Sequence, residues 1–111
     1  MALKVTFFLL AYNQERYIRE ACEAALADQA HLDAVRAKNA AEREALSDAL
    51  RARALAVSPS QTNFVLVDFG RDAAAIEAGV GARGVVPRPM AGYGLPGCLR
   101  ITVGTRDENR R

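Results

Sequence analysis

Between Tyr17 and Val57 the chain contains neither glycine nor proline, and it then meets Ser58-Pro59-Ser60. That contrast constrains the fold more than any other feature. The stretch is dominated by alanine, glutamate, arginine and leucine, all strong helix formers, whereas proline cannot continue a helix. The spacing predicts helix over 17–57, broken near Asp28 to His31, because an unbroken helix of that length is unusual. Val35, Asn39, Glu42, Leu46 and Leu50 trace an incomplete helical stripe, with Leu32 and Leu55 beside it. Lys38 and Glu42, four apart, are placed to pair on the solvated side.

The remaining elements are short. Residues 4–10 are a continuous apolar run rich in strand formers and read as a buried strand ending at Tyr12-Asn13-Gln14-Glu15. Phe64-Val65-Leu66-Val67 reads as a strand core closed by Gly70. Alanines at helical spacing predict a helix over 71–82, with Asp72 as cap or first-turn acid and Gly84 as its stop. Val85-Val86 begins a short strand that Pro87 and Pro89 keep from being central. Met90 to Gly97 is a loop, Leu99 to Val103 a last strand, and Asp107-Glu108-Asn109 the first turn of a helix cut off at Arg111. The fold class expected is α+β: a small antiparallel or mixed sheet, a long N-terminal helix and a second helix packed on one face.

Composition narrows the function. At 111 residues the chain is one domain by length, able to bury roughly 65% of its unfolded surface. A net charge of +2, with 25% of residues charged, lacks the basic face of a nucleic-acid binder. The basic tail, Arg106 and Arg110-Arg111, is interrupted by Asp107 and Glu108 and reads as a solvated end. Cys22 and Cys98 have no metal or redox spacing, and in a reducing compartment both are small, buried or half-buried side chains. No run reaches transmembrane length, and the N-terminal apolar run meets polar residues too soon for a signal peptide. A soluble, cytoplasmic protein without nucleic-acid or membrane partners is expected.

No enzyme-like constellation stands out. His31 is the single histidine, on a helix beside Leu32 and Asp33, and reads as exposed. Ser58 and Ser60 flank a proline where turn roles prevail. Gly92-Tyr93-Gly94 with Gly97 lacks the strand-to-helix context and lysine of a phosphate loop. Glu42, Glu44 and Asp48 form a solvated acidic stretch. No catalytic or metal-binding residue is nominated. The exception to this plainness is Arg100, a charge inside an otherwise apolar strand. In that setting a guanidinium is either an ion-pair member or the grip for a carboxylate or phosphate, held by two parallel hydrogen bonds.

Pro59-Ser60, Asn63-Phe64, Arg83-Gly84, Arg88-Pro89, Gly92-Tyr93-Gly94-Leu95 and Leu99-Arg100-Ile101-Thr102-Val103-Gly104-Thr105 together resemble the C-terminal part of histidinol-phosphate aminotransferases, fold-type I enzymes that use pyridoxal phosphate. The likeness spans residues 27–111 and implies the small domain and the helix leading into it. The family reaction moves an amino group between histidinol phosphate and 2-oxoglutarate in histidine biosynthesis. By this resemblance Arg100 matches the arginine that grips a substrate carboxylate, Arg88 reaches toward the distal phosphate, and Tyr93 shapes the loop between them. The cofactor-bearing large domain has no counterpart here, and neither Lys4 nor Lys38 sits in a matching motif. Without an aldimine there is no electron sink. The chain alone is therefore expected to bind no cofactor and to be inactive, as a fragment of its parent.

Residues 1–26 resemble instead the opening strand, loop and helix of inverting GT-A glycosyltransferases, with Tyr12, Asn13 and Glu15 at the nucleotide-contacting positions. Their Asp-x-Asp metal motif has no counterpart in this sequence. An ordinary strand and helix that extend the sheet is the plainer reading of that stretch. Two alternative functions follow: a nucleotide-sugar-binding glycosyltransferase remnant, or a noncatalytic α+β module that self-associates as a homo-oligomer through an uncovered apolar face.

Overall fold

The computed structural model describes residues 15–111; the strand expected over 4–10, with Tyr12 and Asn13, lies outside them. Two compact units divide between Asp33 and Ala34. The first carries helix α1, Glu15–Ala27, and the opening of α2, Gln29–Arg51. Between them stands Asp28, whose carboxylate accepts the His31 N–H at 3.1 Å while its carbonyl accepts that of Leu32 at 3.2 Å. An acid that satisfies an orphan N–H three residues on is a strong helix start. The break therefore falls at Asp28, where the sequence places it.

In the second unit α2 turns inward along Asn39, Arg43, Leu46, Ser47 and Leu50, with Arg43 and Ser47 the buried positions. Val35 is exposed, so the stripe is centred a step away from the one its apolar residues suggest. The cause is polar. Arg43 lays its stem along the core and donates from its guanidinium to the Thr62 carbonyl at 3.0 Å, which Asn39 also meets at 3.1 Å.

Helix α2 stops at Arg51 rather than running to Val57. The Ala54 N–H donates to the Arg51 carbonyl at 2.9 Å and the Leu55 N–H to that of Leu50 at 3.2 Å, with Ala54 at φ +60°. This is a Schellman closure with alanine where glycine is usual, so no glycine announces it. Helix α3, Ala74–Gly81, is shorter than expected and ends the same way on Gly84, at φ +81°. The Asp72 carboxylate accepts the Ala74 N–H at 2.8 Å from one position before the N-cap, Ala73, so it is neither the cap nor the first-turn acid that the sequence suggests.

Four strands form one antiparallel sheet in the order β1-β2-β4-β3: β1 Ala56–Val57, β2 Phe64–Asp68, β3 Arg88–Pro89 and β4 Cys98–Thr102. Helices and open sheet together make the α+β class. Both edge strands are two residues long and border prolines, the usual way of blunting an edge. The strand expected at Val85-Val86 forms instead at Arg88–Pro89, and Val86 is 90% exposed. Pro87 has no N–H to donate, so pairing with β4 begins beyond it.

Alternation along the strands separates two faces. Val65, Val67, Leu99 and Ile101 share one, and the first three are fully buried. Leu46 and Leu50 of α2, Val80 of α3 and Ile101 line one cavity of about 490 Å³, so both helices lie over that face. Phe64, Leu66, Arg100 and Arg88 share the other.

After β4 the chain closes in a capping box. Thr105 N–H donates to Glu108 Oε2 at 2.8 Å, and Glu108 N–H points back to Thr105 Oγ1 at 3.4 Å. A single 3-10 turn, Glu108–Arg110, follows. Glu42 of α2 ties this turn down, accepting from Asn109 Nδ2 at 3.5 Å and pairing with Arg106 Nε at 3.4 Å. Its side chain is only 12% exposed, so it is not the solvated acid the sequence suggests, nor is its ion-pair partner Lys38.

Candidate anion-binding face

Strand register brings Arg88 and Arg100 together. They are directly opposed across β3 and β4, and Leu66 opposes Arg100 from β2. Residues opposed in an antiparallel pair project to the same side, about 4.5–5.5 Å apart at Cβ. Two arginines thus share the sheet face away from the helices. Neither guanidinium has a carboxylate within ion-pair reach among the described residues. Like charges directly opposed oppose folding; Asp68, opposite Cys98, is the acid that register places on this face, and it forms no ion pair with either arginine.

Arg100 is half-buried, not buried, and its company is aromatic. The guanidinium carbon lies 4.7 Å from the centroid of the Phe64 ring, well within cation–π range. Of the two roles open to a charge in this strand, ion-pair member or grip for an anion, no ion pair forms among the described residues; only one side of β4 faces the core, and Arg100 is on the other. Arg88 is an exposed residue of the edge strand. Tyr93 ends a 3-10 turn, Ala91–Tyr93, between β3 and β4 and is 69% exposed. No hydrogen bond joins it to either arginine among the described residues, so the structure unites two of the three nominated residues. Phe64 was missed as a member of the site, because its meeting with Arg100 depends on strand register.

The chain matches the sequence model described as aminotransferase class I and II over residues 6–111. It belongs to that family. The match reaches into the stretch before residue 27 that resembles a glycosyltransferase opening; of the nucleotide-contacting positions proposed there, only the backbone of Glu15, the first residue of α1, is described. A histidinol-phosphate aminotransferase of Anaeromyxobacter sp. (strain Fw109-5) is 46% identical over 101 residues, 90% of this chain and 28% of the relative. A putative aminotransferase structure from Burkholderia pseudomallei aligns with TM-score 0.71 and 33% identity, covering 79% of this chain and 27% of that one. A putative histidinol-phosphate aminotransferase structure from Erwinia carotovora atroseptica aligns with TM-score 0.73 and 25% identity, covering 82% and 26%. This aminotransferase chain thus spans about a quarter of the length of the relatives it matches.

Aminotransferases of this family use pyridoxal phosphate, which is held through a lysine amine. The residues described here do not fit it. Of the two lysines in the sequence, Lys4 lies outside the described residues, and Lys38 is exposed on α2, the helix that covers the opposite face from Arg88 and Arg100. What the arginine face offers is anion binding. No helix among the described residues is long and apolar enough to cross a membrane.

Proposed function

We propose that this chain is the small-domain part of a cytoplasmic histidinol-phosphate aminotransferase of histidine biosynthesis, and that its share of the reaction is to hold the substrate's anionic groups. The observation that carries the reading is the pair Arg88 and Arg100, in no salt bridge among the described residues and opposed on the sheet face away from the helices. In this reading Arg100 grips the carboxylate of glutamate or 2-oxoglutarate, and Arg88 meets the phosphate of histidinol phosphate. A guanidinium suits this because its planar fork offers two parallel donors in a fixed direction. An anion placed between opposed arginines also relieves their repulsion, which adds to binding. Tyr93, on the turn beside them, borders the site and leaves the gripping to the arginines. Alone, with no lysine on this face among the described residues, the chain binds substrate and turns nothing over.

The test is an amide proton–nitrogen NMR titration with histidinol phosphate. Shifts centred on Arg88 and Arg100 are expected. Arg100→Ala should weaken binding more than tenfold, since hydrogen bonds to charged groups are worth about 1.5–3 kcal/mol. Arg100→Lys should recover only part of that loss. A dispersed spectrum that histidinol phosphate leaves unmoved sinks the reading.

A further inference from the structure

We propose that Phe64 is the positioning residue of this site, fixing the guanidinium of Arg100 so that its outer N–H edge meets the incoming anion. The inference rests on the anion-binding role just given to Arg100. Phe64 opens β2 opposite Thr102, which makes Arg100 its diagonal neighbour on the same face. That spacing lies within reach of an aromatic ring and a long side chain, and the 4.7 Å separation shows contact. A ring contact at the guanidinium carbon uses none of the group's five donors. Among the described residues no side-chain hydrogen bond uses them either, so the fork stays free. An unstacked arginine would have to surrender much of its rotamer freedom on binding. The ring removes part of that loss beforehand.

The backbone of Phe64 is anchored from the helix side. Ser60 Oγ donates to the Phe64 carbonyl at 2.6 Å, and Thr62 Oγ1 lies 3.1 Å from the same oxygen. The Thr62 carbonyl is gripped in turn by Asn39 and by Arg43, whose side chain is only 9% exposed. A chain of hydrogen bonds therefore runs from α2 through the Ser60–Thr62 turn to the backbone of Phe64, the residue whose ring meets Arg100.

The experiment compares the whole chain with Phe64→Leu and Phe64→Trp, titrating inorganic phosphate and histidinol phosphate by NMR. The side-chain Nε–Hε signal of Arg100 is followed throughout. In the parent chain that signal should carry the upfield shift of a proton held over a ring. Phe64→Leu should abolish the shift and weaken both anions about two- to fivefold, the size of an exposed cation–π contact. Phe64→Trp, the best cation–π partner, should keep the shift and bind at least as tightly as the parent. Affinity unchanged in Phe64→Leu overturns the inference and leaves the anion site standing. No binding by the parent chain overturns the site and the inference together. Should Phe64→Leu not fold, Phe64→Trp decides: binding more than about twofold weaker than the parent contradicts a cation–π role.

Discussion

Ala54→Gly should make this protein more stable, although glycine weakens most helices. Ala54 has φ +60° and stands at the left-handed position that closes α2. Its Cβ crowds a carbonyl oxygen there, at a cost of about 1–2 kcal/mol. Glycine removes that cost but returns about 0.5–1 kcal/mol through the greater freedom of the unfolded chain. The side chain is exposed, so no core packing is lost. The Ala54 N–H bond to the Arg51 carbonyl, 2.9 Å, survives the change. The net gain is about 0.5–1 kcal/mol, which in a unit of this size raises the melting temperature by about 2–8 °C. Thermal unfolding followed by circular dichroism measures it, with Ala54→Val as control; a branched Cβ should lower the midpoint. An unchanged or lower midpoint in Ala54→Gly would refute the Schellman closure and the account of why α2 ends where it does.

Three further outcomes are expected. A Cβ on Gly104 would come within 2.9 Å of both Cβ and Oε2 of Glu108, so Gly104→Ala should cost about 1–3 kcal/mol in urea unfolding, and adding Glu108→Ala, which removes Oε2 but keeps the Cβ, should return only the carboxylate's share. Hydrogen bonds from the Thr105 N–H, then from its hydroxyl, hold the Glu108 carboxyl below its ordinary pKa. The ionised form is thus favoured by folding, so its stabilisation is present above the ordinary glutamate value, about 4.3, and fades as pH falls toward the lower folded value; stability of the parent chain should drop more steeply than that of Glu108→Gln over this acid range. Burial, and then the nearby Asp68 charge, push the Cys98 thiol up, so at pH 8 iodoacetamide should label the half-buried Cys22 well before Cys98; equal rates by mass spectrometry would contradict the buried placement of Cys98.

The parts legible in the sequence were those set by local chemistry. Asp28, Asp72, Gly84 and the prolines at 87 and 89 each act within a few residues of themselves, and each left its mark on the pattern. Non-local pairing was hidden. The end of α2 was invisible because alanine occupies a position where glycine would have flagged it. Arg43 reads as one more charge on a polar helix; its burial follows from Thr62, nineteen residues on. Glu42 likewise looks solvated until the turn at Asn109 folds back upon it. At the site, both arginines stood out by type and by resemblance to the aminotransferases. Their union, and the presence of Phe64, depend on which residue faces which across β2, β4 and β3. A one-residue slip in that register would send Arg100 to the helix-covered face, and nothing in the local sequence forbids the slip except the hydrophobic set Val65, Val67, Leu99 and Ile101.

That same hydrophobic set explains how two opposed arginines in no ion pair persist on so small a sheet. Opposed arginines cost stability, by about 0.2–1 kcal/mol for like charges on neighbouring strands. Fully burying one valine or leucine returns about 1.5–3 kcal/mol, and three such residues lie fully buried directly behind the pair. Strand alternation keeps the two accounts on separate faces: the helix side holds the fold together, and the open side is left free to be electrostatically unfavourable until an anion arrives. The arrangement also bears on self-association. Stacking two copies through this face would bring four guanidinium groups together, so the pair works against the contact that Phe64 and Leu66 would otherwise invite. Arg100→Leu should for that reason do two things at once, abolishing anion binding and promoting concentration-dependent dimers on size exclusion. A variant that lost the anion but stayed monomeric at every concentration would show that the arginines serve binding alone.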